Sequence, residues 1–182
     1  MTRLNPLSID DMTPNQRRVY DIVVSTRKGG LGGPFSVWAR VPALAEPANL
    51  LHNAFRLDGT LDRRLFEMMI LVVAHRYQAR YVWSHHVQQA LRVGLEREFI
   101  DAIEKGQAPA FKRVEEQVVY ETIEELLNSK TLSDASFTTA RKIIGESLLI
   151  ELVTAVGFYS MVSLTVNAFD VPAPGTTDAP GR

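Results

Sequence analysis

Residues 65–86 read LFEMMILVVAHRYQARYVWSHH, and this stretch decides the fold. From Leu65 to Ala74 every position but Glu67 is apolar, which makes the segment a helix with no polar face. Such a helix has to be covered on all sides, and the reading expects its own core and neighbouring subunits to share that cover. A second helix follows from about Arg80 to Val93 and stops at Gly94.

Working outward, Thr13-Pro14-Asn15-Gln16 combines an N-cap residue, a first-turn proline and a reciprocal Gln, and predicts an amphipathic helix to about Thr26. Gly29-Gly30-Leu31-Gly32-Gly33-Pro34 resembles a phosphate loop only superficially, because no Lys-Ser/Thr follows it and no strand precedes it. It reads as a break that delivers Phe35 and Trp38 onto the next helices. Pro42 opens a segment to about Leu57, ended by Asp58-Gly59, and Thr60 is placed to cap the helix carrying Glu67. Further helices are expected near Arg97 to Glu104, from Lys112 to Asn128, from Ser133-Asp134, and, after Gly145, from Glu146 to about Phe169. The last resembles the Glu67 helix faintly, with Glu151 as its acid. Its uncharged run from Leu152 to Phe169 approaches membrane-spanning length. Thr154, Ser160, Ser163, Thr165 and Asn167 interrupt that run, so a core or subunit-interface helix is expected. The whole chain reads as one all-α domain over residues 1–182, with an arm at 1–12 and a loose tail at 171–182.

With 182 residues, 46% of them hydrophobic, the chain can bury a substantial core. Twenty basic and 21 acidic residues are spread along it, leaving no footprint for a nucleic acid or an anionic membrane. The absence of cysteine removes disulfides, thiolate metal sites and thiol nucleophiles together. The N-terminal MTRLNPLSIDDM has no apolar stretch of signal-peptide length, and a cytoplasmic location is expected.

A Glu inside an apolar helix is costly unless it is paired or protonated, which marks Glu67 as a candidate functional carboxyl with His86 as its partner. On the second helix Ala79, Trp83 and His86 share one stripe, while Tyr81 and His85 share the next, so the two histidines are expected to serve different walls. His85 is read as solvated or at an interface, and His52 and His75 as surface or packing residues. A metal is not expected: adjacent His85 and His86 do not chelate from one helical face, and no HExxH or Glu-x-x-His pair occurs.

Glu67 followed by Tyr81-Val82-Trp83-Ser84-His85-His86 resembles the Glu and Tyr-x-Trp-x-x-His signature of the carboxymuconolactone decarboxylase family. The similarity covers Leu61 to Leu95 and, more loosely, Thr13 to about Pro172. The superfamily also holds alkylhydroperoxidase D proteins, whose relay joins a Glu and a His to a Cys-x-x-Cys pair. Ala79 and Val82 stand at those cysteine positions, so thiol peroxidase chemistry is closed to this chain. Decarboxylase-like members often carry Glu where this chain has Val82. The resemblance implies an alkylhydroperoxidase D-like helical bundle forming trimers or hexamers, and a cofactor-free lyase acting on a small cyclic carboxylate or lactone. In that reading His86 donates a proton, Glu67 orients it and Tyr81 assists a developing oxyanion. Trp83 and Phe35 wall off water, His85 contacts substrate, and Arg40 or Arg56 anchors a second carboxylate. An isomerase or hydratase using the same pair, and a non-catalytic helical oligomer that binds a small ligand, are the alternatives.

Overall fold

The computed structural model describes residues 2–26 and 30–173, so Gly29 and the tail beyond Ala173 lie outside the described residues. Among these residues every regular element is helical: α1 (Pro14–Thr26), α2 (Phe35–Trp38), α3 (Pro42–Asn53), α4 (Arg63–Arg76), α5 (Arg80–Arg92), α6 (Arg97–Glu104), α7 (Val114–Ser129), α8 (Asp134–Ile144) and α9 (Glu146–Ala168).

The all-apolar segment becomes α4, the axis of the bundle. Leu65 through Ala74 are buried without exception, Glu67 included, beneath α5, α6, α7 and α9. Each fully buried aliphatic side chain of this kind contributes about 1.5–3 kcal/mol, so α4 is the principal source of apolar stabilisation. The covering helices all belong to the same chain. The apolar character of α4 therefore gives no reason to invoke a second subunit, contrary to the expectation drawn from its sequence.

Asp62, rather than Thr60, caps α4, its Oδ1 accepting the backbone N–H groups of Arg64 at 3.0 Å and Leu65 at 3.3 Å. Thr60 is held from a distance. Glu151 of α9 accepts its N–H at 3.0 Å and its hydroxyl at 2.9 Å, and the N–H of Leu61 at 3.3 Å. Glu151 thus fixes the turn that launches α4, a different role from that of Glu67, which weakens any reading of the two helices as a repeat. A second anchor lies beside the cap. Arg64 reaches Glu116 at 2.7 Å, Glu96 at 2.7 Å and the Gly94 carbonyl, tying α4 to the starts of α6 and α7.

At α1 the capping box forms as the spacing predicts, with Gln16 N–H on Thr13 Oγ1 and Thr13 N–H on Gln16 Oε1 at 3.0 Å. Val19 and Val23 seat this helix against the rest. The helix opened by Pro42 ends at Asn53 and widens into a single π-type turn over Ala54–Asp58. Gly145, at φ 82°, closes α8 and starts α9 in one residue, a left-handed backbone that glycine adopts without strain.

By length and composition α9 could cross a membrane, yet half of its most apolar window is buried in the bundle. Its opposite face carries Ile150, Val153, Met161 and Leu164, all exposed and free of charge. Residues 2–12 run back over the end of α9, where Arg3 N–H reaches the Phe169 carbonyl at 3.1 Å and Arg3 Nε reaches Asp170 at 2.8 Å.

Candidate active site

Glu67 and His86 face each other from adjacent helices. His86 Nδ1 lies 2.7 Å from Glu67 Oε2, with the two residues 6% and 1% exposed. An ionised carboxylate can only accept, so Nδ1–H donates to it and Nε2 is left for a ligand. Glu67 Oε1 lies 3.6 Å from Arg63, one turn earlier on α4, whose guanidinium rests over the Phe66 ring at 5.1 Å. The carboxylate is therefore compensated on both oxygens, which is what its removal from water demands.

Aromatic rings enclose the imidazole. Tyr159 of α9 meets it edge-on at 5.6 Å, His85 lies 5.0 Å away, and Tyr81 stacks on His85 with the planes 7° apart. On the far side His52 sits between Phe35 at 6.1 Å and Phe158 at 6.3 Å. Together with Arg56 these groups line a cavity of about 40 Å³. It is an aromatic space of mixed polarity, with imidazoles, phenols and one guanidinium on its wall, groups that are able to exchange protons.

Of the residues singled out in the sequence, the structure gathers Glu67, His86, Tyr81, His85, Phe35 and Arg56 at or directly behind this cavity. Two lie elsewhere. Trp83 faces a groove of about 600 Å³ on the other flank of α5, 6.4 Å from His75. The line Ala79–Val82–His86 is the one pressed onto the core, and the site opens on its Tyr81–His85 side, so Trp83 emerges on the wrong side of that line. For the same reason His85 shares the wall with His86, where the spacing had put them apart. Arg40 lines a different cavity, beside the N-terminal arm.

His52, Arg63, Phe158 and Tyr159 were missed. His52 and Arg56 stand four apart on one stripe, which is the local signal for the former, and Arg63 stands four before Glu67. Nothing local marks Tyr159, which reaches the site through the packing of α9 on α4. Among the described residues no group of His, Asp and Glu is arranged to hold a metal ion.

The order and packing of the helices define an alkylhydroperoxidase D-like fold. The fold is similar to that of an uncharacterized peroxidase-related protein from Silicibacter sp. TM1040, with a TM-score of 0.77 and 14% identity over 96% of this chain and 92% of that one. A peroxidase-related protein from Ralstonia eutropha JMP134, described as an alkylhydroperoxidase AhpD core, gives 0.77 and 14% over 96% and 93%. A cysteine-to-alanine variant of the debrominase Bmp8, solved with 2,3,4-tribromopyrrole, gives 0.74 and 18% over 96% and 93%. No curated protein matches the sequence. Residues 42–118 match the sequence model of the carboxymuconolactone decarboxylase family.

Proposed function

We propose that this protein is a cofactor-free acid–base enzyme acting on a small cyclic carboxylate or lactone, with decarboxylation as its reaction. The observation that carries this reading is the 2.7 Å Glu67–His86 contact at the wall of an aromatic cavity. Loss of carbon dioxide leaves an electron pair that the conjugated lactone carbonyl takes up as a dienolate. His86 Nε2 then returns a proton to carbon, Glu67 holds the imidazole through Nδ1, and Tyr81 donates to the oxyanion. Arg56, on the cavity wall, would in this reading pair with an acidic group of the substrate. General acid catalysis of this kind is worth about a hundred- to ten-thousandfold. The complex of Bmp8 with tribromopyrrole supports a small planar ring as ligand. Thiol chemistry is closed to a chain without cysteine.

Isomerisation and hydration need the same proton transfer next to a carbonyl, and product analysis separates them from decarboxylation. The test is a panel of lactones and cyclic keto acids assayed for carbon dioxide release with wild type, His86→Ala and Glu67→Gln. Both variants should stay folded and lose at least a hundredfold in turnover. Equal rates in all three proteins would sink the assigned roles, and a wild type that binds ring carboxylates without turnover would make the protein a ligand-binding oligomer.

The protein is proposed to be a homo-oligomer, assembled through the outer faces of α3 and α9. Leu44, Leu50 and Leu51 on α3, Leu57 just after it, and Ile150, Val153, Met161 and Leu164 on α9 are exposed. Apart from Glu46, paired with Arg18, and Glu146, paired with Arg141, these faces carry no charge, the usual mark of a protein–protein contact.

A further inference from the structure

With Tyr81 standing between it and the neighbouring space, the cavity beside His86 is too small for the ring it is proposed to process. About 40 Å³ accommodates little more than a water molecule, whose share of the liquid is about 30 Å³. A second cavity of about 380 Å³ lies next to it, within the size range of small-molecule sites. Tyr81 lines both. On one side its ring stacks on His85, and on the other it presses against the backbone of Gly32 and Gly33. A Cβ at Gly33 would lie 2.6 Å from Tyr81 Cε1. The glycine loop thus seats the phenol ring that separates the two spaces.

The larger chamber is roofed by the N-terminal arm and walled mainly by apolar side chains such as Leu4, Leu31 and Val37. Arg40 is the charged group on its wall. One Nη of Arg40 donates to the Asn5 carbonyl, while its Nε is buried with no partner among the described residues. The Arg40 guanidinium thus borders an apolar chamber with no carboxylate paired to it among the described residues, an arrangement that an entering carboxylate completes, with a geometry that Lys reproduces only in charge.

We propose that this chamber is the docking site for the substrate, a small apolar ring carboxylate that binds with its carboxylate on Arg40 and its ring against Tyr81, and that Tyr81 gates its passage to His86. Only the last step rests on the proton-transfer reading; the docking itself does not.

Benzoate is the probe, titrated by calorimetry into the full chain. Wild type should bind it, and benzyl alcohol, the uncharged counterpart, at least tenfold more weakly. Arg40→Met should weaken benzoate at least tenfold, Arg40→Lys less, and Leu31→Trp should block it by filling the chamber. His86→Ala and Glu67→Gln should bind benzoate as wild type does. Absence of binding to wild type, binding indifferent to both Arg40→Met and Leu31→Trp, or binding lost in His86→Ala but kept in Arg40→Met would each overturn the chamber. Arg40-dependent binding without turnover of any candidate substrate would leave the chamber standing and overturn the enzymatic reading alone. Turnover with no dependence on Arg40 or Leu31 would do the reverse.

Discussion

Glu67 has one oxygen on an imidazole and the other near a guanidinium, so its environment fails asymmetrically when a partner is taken away. His86→Leu leaves a buried carboxylate without its closest donor and is expected to cost about 3–5 kcal/mol of stability. Replacing both members, as in Glu67→Met with His86→Leu, should cost less than the sum of the single changes, because no orphaned charge remains. Urea melts of the four proteins measure this, and strict additivity would show that the pair is not coupled. Gly33 is constrained twice, by φ 59° and by the Tyr81 ring. Gly33→Ala is therefore expected to lose more than 1 kcal/mol, and part of that loss should return when Tyr81 is also truncated to Ala. At this scale the sequence revealed the acid and its imidazole because each is anomalous in its surroundings. It did not reveal Tyr159, whose place depends on how α9 lies across α4, or the misplacement of Trp83, which depends on which line of α5 the core selects.

Among the elements, α4 is held at its start by Asp62 and by the charges around Arg64. Asp62→Ala should cost about 1 kcal/mol through the lost cap. Glu96 is held down to about 2 by hydrogen bonds from Lys112 and Arg64. Burial pushes the Glu116 carboxyl up, but hydrogen bonds from Arg64 and the Lys112 backbone, with the Arg64 and Arg113 charges, outweigh it and hold it below its usual range. Both carboxyls are lowered on folding, so their contribution is present above the unfolded value of about 4.3 and is lost as pH falls through their folded values, about 2 for Glu96. Urea midpoints should fall over that window, and Glu96→Gln should flatten the decline; an unchanged slope would remove Glu96 from the linkage. Helix starts and stops were largely readable, because proline, glycine and capping residues act locally. The choice of Asp62 over Thr60 was not, since Thr60 is claimed by Glu151 some ninety residues away.

For the whole molecule, the all-helical class follows from the absence of strand-like alternation. The sequence argument for assembly, however, rested on the wrong element. α4 is covered by its own chain, and the faces left bare are those of α3 and α9. Ile150→Glu with Leu164→Glu should therefore yield smaller particles by light scattering while helical content is kept. A wild type that is already monomeric at micromolar concentration would end the oligomer proposal.

The chain has two tryptophans, and the bundle separates them. Trp38 donates its indole N–H to Thr165 at 3.2 Å and lies 5.2 Å from Phe35 and 6.2 Å from Phe158, within the ring cluster that ends at His52. Trp83 stands on the opposite flank of α5, half-exposed beside His75. Emission from the native protein thus mixes a blue-shifted, shielded fluorophore with a wetter one. Replacing Trp83 by Phe leaves a single optical reporter embedded next to the candidate site, whose colour and lifetime follow what enters there without any added label.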